Sequence, residues 1–391
     1  IVLSALAIVA AALSLRRKQL ALSAATLSSA AAALATILAT GPTAVWRHGG
    51  IGVGRMPRHQ TSNEYRAWAN DLRRSILWEG DGRESSVALA VANQITFIVN
   101  GKTDGSARSD TGTQAGISLI PALLHRQPKS AFVIGLGTGQ SAGTLTIVPS
   151  MERVDVVELE PLVVDVAKAC AAVNFHALTN PKVHLTLADA REVMLTTDRQ
   201  YDLVISEPSN PYRAGIASLL TTEFYETVRD RLQPNGIFAQ WVQGYGIDAG
   251  TLRTAYATLH GTFPHVQTWW TLGGDLVLIA SREPIVIDAD LIRRRIAAEP
   301  FSSATYDAWR IESAEGFLAR LVGNEAFTAA VARVASTLNT DDRTVIEFGF
   351  ARSVSDDATA NRLLVSAAAR ESMNRPLHVR GAVDWKAVEA Q

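Results

Sequence analysis

The sequence predicts an α/β protein built on a mostly parallel sheet. Between Ala131 and Ser209 four short apolar runs, Ala131–Ile134, Val154–Glu158, Val183–Leu187 and Tyr201–Ser206, each lead into a small or acidic residue. Segments of helical spacing separate them, the alternation of a parallel sheet with crossover helices. Glycines follow the first run and acids follow the others, as at a sheet edge that binds a nucleotide-like ligand.

Ile1–Leu15 carries no charge, Arg16-Arg17-Lys18 interrupts, and Gln19–Thr40 is again uncharged and rich in Ala and Leu. The second stretch has the length of a bilayer span and the first nearly so, so residues 1–42 are expected to form two transmembrane helices, with a soluble Ala-rich helical hairpin as the alternative. A signal peptide fits poorly, since no basic region precedes the first apolar run. The basic loop favours an outside position for the rest of the chain, whereas Arg47, Arg55, Arg58 and Arg66 favour a cytoplasmic one.

Residues 43–74 read as a linker and a helix, with helical spacing from Thr61 to Leu77. Residues 75–125 read as a small β unit and a lead-in helix. Glu79-Gly80-Asp81-Gly82 is a turn, Ser85–Ala92 and Gln94–Val99 are strands, and Thr113–His125 is the helix. Asp104 and Asp110 fall in the loop leaving the β unit and are candidate ligands for an amine.

Residues 126–283 form the main domain. Gly135, Gly137 and Gly139 stand directly after the first strand, in the pattern G-x-G-x-G rather than G-x-G-x-x-G. Glycines here bring the backbone close to a ligand and aim its N–H groups at it; a plain tight turn is the alternative. Glu158 ends the second strand 19 residues after Gly139, where a carboxylate accepts both hydroxyls of a ribose. Glu160 reads as the solvated start of a helix over Pro161–Ala172. Asp189 and Ala190 follow the third strand; Asp189 suits an exocyclic purine amine or a helix N-cap. Glu207-Pro208-Ser209-Asn210-Pro211 follows the fourth, and its prolines hold a rigid loop that presents Glu207 as a candidate general base. A helix over Thr221–Leu232 and a strand over Ile237–Trp241 follow, and Gln243 and Tyr245 then reach towards a substrate pocket. Strand-like runs His265–Trp270 and Asp275–Ala280 complete the domain.

Residues 284–391 read as a helical extension, with Asp288–Glu299, Ala314–Leu321 and Glu325–Leu338 helical and Thr344–Phe350 strand-like.

These residues carry a resemblance. The stretch is similar to the S-adenosylmethionine-type methyltransferase fold, and more narrowly resembles the spermidine synthase (polyamine aminopropyltransferase) family in its membrane-fused bacterial branch. The matching segments include Ile98-Val99-Asn100-Gly101-Lys102, Leu123-Leu124-His125, Ser206–Pro211, Thr222-Glu223-Phe224-Tyr225, Gln240-Trp241 and Asn339-Thr340-Asp341-Asp342-Arg343. The resemblance implies a methyltransferase-like, seven-stranded sheet closed by an antiparallel pair. It also implies a β domain over the site, decarboxylated S-adenosylmethionine or S-adenosylmethionine as co-substrate, and a bacterial inner-membrane location with the catalytic domain in the cytoplasm. Gly135, Gly137, Gly139, Glu158 and Asp189 sit where the family binds the nucleoside. Three positions depart from its pattern. Thr138 stands for an Asp that engages the donor's amino group, Glu207 for the catalytic Asp, and Asn210 for a second Asp, while Thr113-Gln114-Ala115 replaces a Tyr-His-Glu cluster. The expected activity is aminopropyl transfer to a small-molecule amine. Methyl transfer to another acceptor, or binding of a nucleoside or polyamine without turnover, are the alternatives.

With 37 basic and 38 acidic residues and a net charge of −1, no nucleic-acid footprint is present. Cys170 is the only cysteine, so the chain holds no internal disulfide. The eight histidines form no ligand cluster, and no metal is expected. A homodimer is the expected assembly.

Overall fold

The structure, a computed structural model, describes residues 9, 10, 12, 13, 20–38, 44–50, 56–211, 213, 215–244, 247–271, 274–335, 337–353, 367, 368, 371 and 373–391. The chain divides into two units, Ile1–Val45 and Trp46–Gln391.

The described part of the first unit is mainly one helix, α1 (Leu20–Leu38). The two expected transmembrane helices are not found: among the described residues no helix is long and apolar enough to cross a membrane. Only fragments of Ile1–Leu15 lie within the described residues. Over Leu20–Leu38 the apolar character that suggested a span comes largely from Ala, mixed with Ser and Thr. The Thr26 and Ser29 hydroxyls donate back to carbonyls of the preceding turn.

In the second unit, α2 (Ser62–Ser75) starts at Thr61, whose hydroxyl accepts from the Glu64 amide. An antiparallel four-stranded sheet follows, β1 (Ile76–Asp81), β2 (Ser86–Val91), β3 (Ile95–Val99) and β4 (Lys102–Ser106), in sequence order. Two expectations change here. Glu79–Asp81 belongs to a strand and not a turn, because the register runs through Asp81↔Ser86. Asp104 lies on β4 and not in a loop, because β4 pairs with β3 beyond it.

Helices α3 (Thr111–Gln114) and α4 (Gly116–Leu124) lead into the main sheet. Its strands are β5 (Ser130–Ile134), β6 (Arg153–Glu158), β7 (Val183–Leu187), β8 (Tyr201–Ser206), β9 (Leu232–Val242), β10 (His265–Trp270), β11 (Leu276–Ser281) and β13 (Leu321–Gly323). The order is β13-β10-β11-β9-β8-β5-β6-β7. The five strands β9 to β7 in that order are parallel, and β11, β10 and β13 are antiparallel. The sheet therefore has eight strands and not seven: Leu321 and Gly323 of β13 pair along the free edge of β10. After β5 the chain winds out to β6 and β7, then returns to β8 and β9 on the other side. That reversal opens a crevice at the carboxyl ends of β5 and β8.

Strand β5 shows how the sheet is held. Ala131 and Val133 point into one apolar layer with α4 and with α5 (Gln140–Thr146). Phe132 and Ile134 point into the other, with α8 (Thr222–Arg231) and α9 (Ala249–Thr262). This alternation is the two-residue period of a strand covered on both faces. Each fully buried side chain of this size contributes roughly 1.5–3 kcal/mol. Two further helices complete the site: α6 (Val163–Ala169) after β6 and α7 (Ala190–Thr196) after β7.

Beyond β11 lie β12 (Ile287–Asp288), α10 (Ala289–Ile296), α11 (Phe301–Trp309), α12 (Ala314–Leu318), α13 (Glu325–Arg333), α14 (Val345–Ser353), β14 (Val379–Arg380) and α15 (Trp385–Glu389). The run from Thr344 is helical and not a strand. Asn339 Oδ1 accepts from the Ile346 amide and satisfies the start of α14, so a local side-chain contact outweighs the β-branched run.

Candidate active site

The crevice is a cavity of about 870 Å³ roofed by the four-stranded sheet. On one side lies the turn between β5 and α5. Gly135, Gly137 and Gly139 have φ of 87°, 52° and 81°, the left-handed region that glycine adopts without strain. Gly135 and Gly137 line the cavity. Gly139 does not; it caps α5 against Asn174, whose side-chain amide donates to Thr138 O and Ala167 O.

Glu158 faces this turn from the end of β6. Its Oε2 accepts from the Leu136 amide and its Oε1 from the Glu160 amide, each at 2.8 Å. Burial raises its pKa, and these backbone donors oppose the rise. Each oxygen keeps a lone pair for a further donor. Glu160 is buried, not solvated. It accepts from the Glu84, Ser85 and Leu162 amides and pins the β1–β2 turn to the cavity rim. Asp189 and Ala190 line the cavity beyond Glu158, and Asp189 also caps α7 by accepting from the Arg191 and Glu192 amides.

Thr138 is buried and donates to Gln114 Oε1, which also accepts from Gln140 Nε2 at 3.1 Å. Gln114 thus sits against the glycine turn, and Asp110 precedes it in the cavity wall. Asp110 Oδ2 accepts from the Ser106 amide and hydroxyl.

At the end of β8, Glu207 faces the cavity and packs against α5. Its Oε2 accepts from Ser141 Oγ at 2.5 Å. Burial, opposed by the Ser141 hydrogen bond, pushes its pKa to about 7, and the neighbouring carboxylates Asp275, Asp110 and Asp104 add to the rise. Asp275, just before β11, is pushed to about 6, again mainly by burial. Its Oδ2 accepts from Thr113 Oγ1 at 3.2 Å. The Trp241 indole N–H lies beside it, yet Trp241 Nε1 and Asp275 Oδ1 are both buried without completing a hydrogen bond.

The remaining wall is polar and paired. Lys102 Nζ donates to Asn210 Oδ1 and, at 3.2 Å, to Thr103 O. Asn210 Nδ2 donates to Gln243 Oε1. Gln243 is therefore a buried support behind Asn210 and not a cavity-lining residue, because Asn210 stands between it and the space. Asp104 pairs with Arg213 at 3.1 Å and accepts from Ser209 Oγ at 2.5 Å. Tyr245 lies outside the described residues. Asp275, Lys102, Arg213 and Ser141 escaped sequence reasoning. Asp275 carried one usable signal, an acid opening a strand directly after a glycine pair.

Among the described residues no group of three or more His, Cys, Asp or Glu is placed to hold a metal ion. The glycine turn, the acid ending β6 and the acid after β8 define an α/β domain of methyltransferase-like class. Residues 111–272 match the family model described as Spermine/spermidine synthase domain. It is 26% identical over 217 residues to Thermospermine synthase ACAULIS5 of Arabidopsis thaliana, covering 54% of this chain and 63% of that protein. It is 29% identical over 185 residues to the polyamine aminopropyltransferase of Nitrosomonas europaea, covering 45% and 57%. With that of Alkaliphilus oremlandii it shares 30% identity over 170 residues, covering 40% and 60%. The chain thus spans less than two thirds of the length of these curated relatives. Among solved structures it is similar to a spermidine synthase from Thermotoga maritima, with a TM-score of 0.48 and 20% identity over 54% of this chain and 73% of that one.

Proposed function

We propose that the chain is an aminopropyltransferase that moves the aminopropyl group of decarboxylated S-adenosylmethionine to an amine, with Glu207 as the base. The observation that carries this reading is Glu207 itself. It is a carboxyl with pKa near 7, at the sheet's switch point, facing the same cavity as the Gly135–Thr138 turn and Glu158.

In this reading Glu158 accepts the ribose hydroxyls, and Asp189 with Ala190 borders the base. Asp110, next to the glycine turn, faces the donor's ammonium. The amine nitrogen attacks the methylene carbon bonded to the sulfonium. The C–N bond forms as the C–S bond breaks, and sulfur keeps the electron pair as the neutral thioether of methylthioadenosine. Glu207 takes the proton that the nitrogen loses. A base with pKa near the working pH suits this transfer. The donor arises in the cytoplasm, and the same reading places the domain there.

The second reading, methyl transfer from S-adenosylmethionine, is favoured by Thr138, which sets no negative charge at the glycine turn against the carboxylate that this donor keeps. Calorimetry of the full chain with each sulfonium separates the two. Tighter binding of the decarboxylated form is expected; tighter binding of the carboxylated form overturns the assignment.

A further inference from the structure

We infer that Asp341, acting through Arg191, positions the cavity wall that faces the nucleobase, so that the C-terminal extension sets how well the site reads the base. This rests on the reading above, in which Asp189 and Ala190 border the base. It adds to the site a residue outside the matched stretch 111–272.

Arg191 joins three segments of the chain. Its amide donates to Asp189 Oδ1 at 2.7 Å. Its guanidinium donates to Ser218 O at 3.2 Å and, as a fork, to both carboxylate oxygens of Asp341, at 2.7 Å for Oδ1. Asp189, Ala190, Ile216, Ser218 and Leu219 line the cavity, whereas Arg191 and Asp341 stand behind that lining. Both are therefore positioning residues. The Glu192 amide also goes to Asp189 Oδ1, which leaves Oδ2 to accept from a ligand.

The extension loop holds Asp341 in place. Asn339 is fully buried, and its side-chain amide donates to Ala217 O and Leu220 O, each at 3.0 Å. Its backbone amide donates to Thr258 Oγ1 at 2.9 Å. Its carbonyl accepts from the Thr222 amide, and the Asp341 amide donates to Glu223 Oε2, each at 3.0 Å. The loop thus grips the turn over Ile216–Leu220, and Asp341 reaches from it to Arg191. The guanidinium holds the Asp341 carboxyl below the usual carboxylate range, so the pair is ionised at neutral pH. Without that carboxylate Arg191 keeps one neutral acceptor, Ser218 O, and loses the bidentate fork that fixes its direction. Asp189, tied to the Arg191 amide, then loses its fixed place relative to Ser218 and Leu219.

The test is calorimetry of the full chain with methylthioadenosine and, separately, with methylthioinosine. The first carries an amine at C6 of the base, which donates to a carboxylate; the second carries a carbonyl there, which does not. The parent is expected to bind methylthioadenosine at least about tenfold more tightly, the scale of one charge-assisted hydrogen bond. Asp341→Ala is expected to cut that ratio about three- to tenfold, the scale of coupling between residues in contact. Asp341→Asn, of the same shape, is the second variant should the first fold poorly. Arg191→Met should act alike, and the double variant should lose no more than either single one, because the pair acts as a unit. In turnover, KM for the donor should rise with kcat unchanged, since Glu207 is untouched. A ratio that neither Asp341 variant moves overturns the inference, as does an equal loss of both nucleosides, which marks a purely structural role. Additive losses in the double variant overturn it, and so does a parent that binds neither nucleoside or does not favour adenine. The expected change of ratio without methylthioadenosine release from the decarboxylated donor supports the positioned wall while sinking the transfer reading, so the two failures are distinct.

Discussion

Ser141 Oγ lies 2.5 Å from Glu207 Oε2 and 2.9 Å from Gln114 O. A hydroxyl has one proton and both neighbours accept. When Ser141 donates to the Gln114 carbonyl, the contact with Glu207 is complete only if Glu207 carries a proton and donates it. When Glu207 is ionised, Ser141 turns to it and the carbonyl loses its partner. The pair can hold one proton in two positions, at the residue proposed above as the base.

Replacing Glu207 by Gln keeps the shape and removes the base. Turnover should fall by about 10²–10⁴-fold, with nucleoside affinity unchanged, because Glu158 and the glycine turn are untouched. Steady-state kinetics beside nucleoside calorimetry checks this. Equal losses in both would show Glu207 to be structural.

Activity should rise with pH through about 7 as Glu207 ionises. Stability should run the other way. Glu207's folded pKa of about 7 lies above its ordinary 4.5, so between those values the folded state binds more protons and stability falls as pH rises. Glu207→Gln should therefore be more stable than the parent by about 1–3 kcal/mol at pH 8, with little difference at pH 4.5. Denaturant titrations at the two pH values measure it.

Ser141→Ala removes the hydrogen bond that holds the Glu207 pKa down. The rising limb of the pH–rate profile should move to higher pH, and activity at pH 7 should drop more than activity at pH 9. A drop of equal size at both pH values would show that Ser141 acts through packing alone.

Gly139→Ala places a side chain at φ 81°, with its Cβ 2.7 Å from Asn174 Nδ2. Asn174 cannot yield freely, since that nitrogen holds two carbonyls at 2.8 Å. Left-handed strain of about 1–2 kcal/mol adds to weakened hydrogen bonds of about 1 kcal/mol each. A loss of roughly 2–4 kcal/mol, read as a lower Tm, should come with weaker nucleoside binding.

The half of the site proposed to hold the nucleoside was legible because its requirements are local. Positive φ calls for glycine, a strand end followed by a helix calls for a cap such as Asp189, and prolines fix the loop after Glu207. The amine half was not. It depends on β4, a strand hidden in the polar run Lys102–Ser106, which carries Asp104 to Arg213, a residue 109 positions away. Asp275 looked like the polar start of a strand, because burial against Trp241 leaves no mark in sequence. The misreadings share a cause. Apolar composition suggested two spans near the N-terminus and β-branched residues suggested a strand at Thr344, while helix capping by Asn339 decided the latter.

The most direct test of the central claim is a product assay. The full chain is incubated with an amine and either decarboxylated S-adenosylmethionine or S-adenosylmethionine, and the nucleoside products are identified by mass spectrometry. Aminopropyl transfer predicts methylthioadenosine, with an aminopropylated amine, from the decarboxylated donor and about 10²–10⁴-fold less from Glu207→Gln. S-adenosylhomocysteine from the carboxylated donor, with no methylthioadenosine from the other, would contradict it.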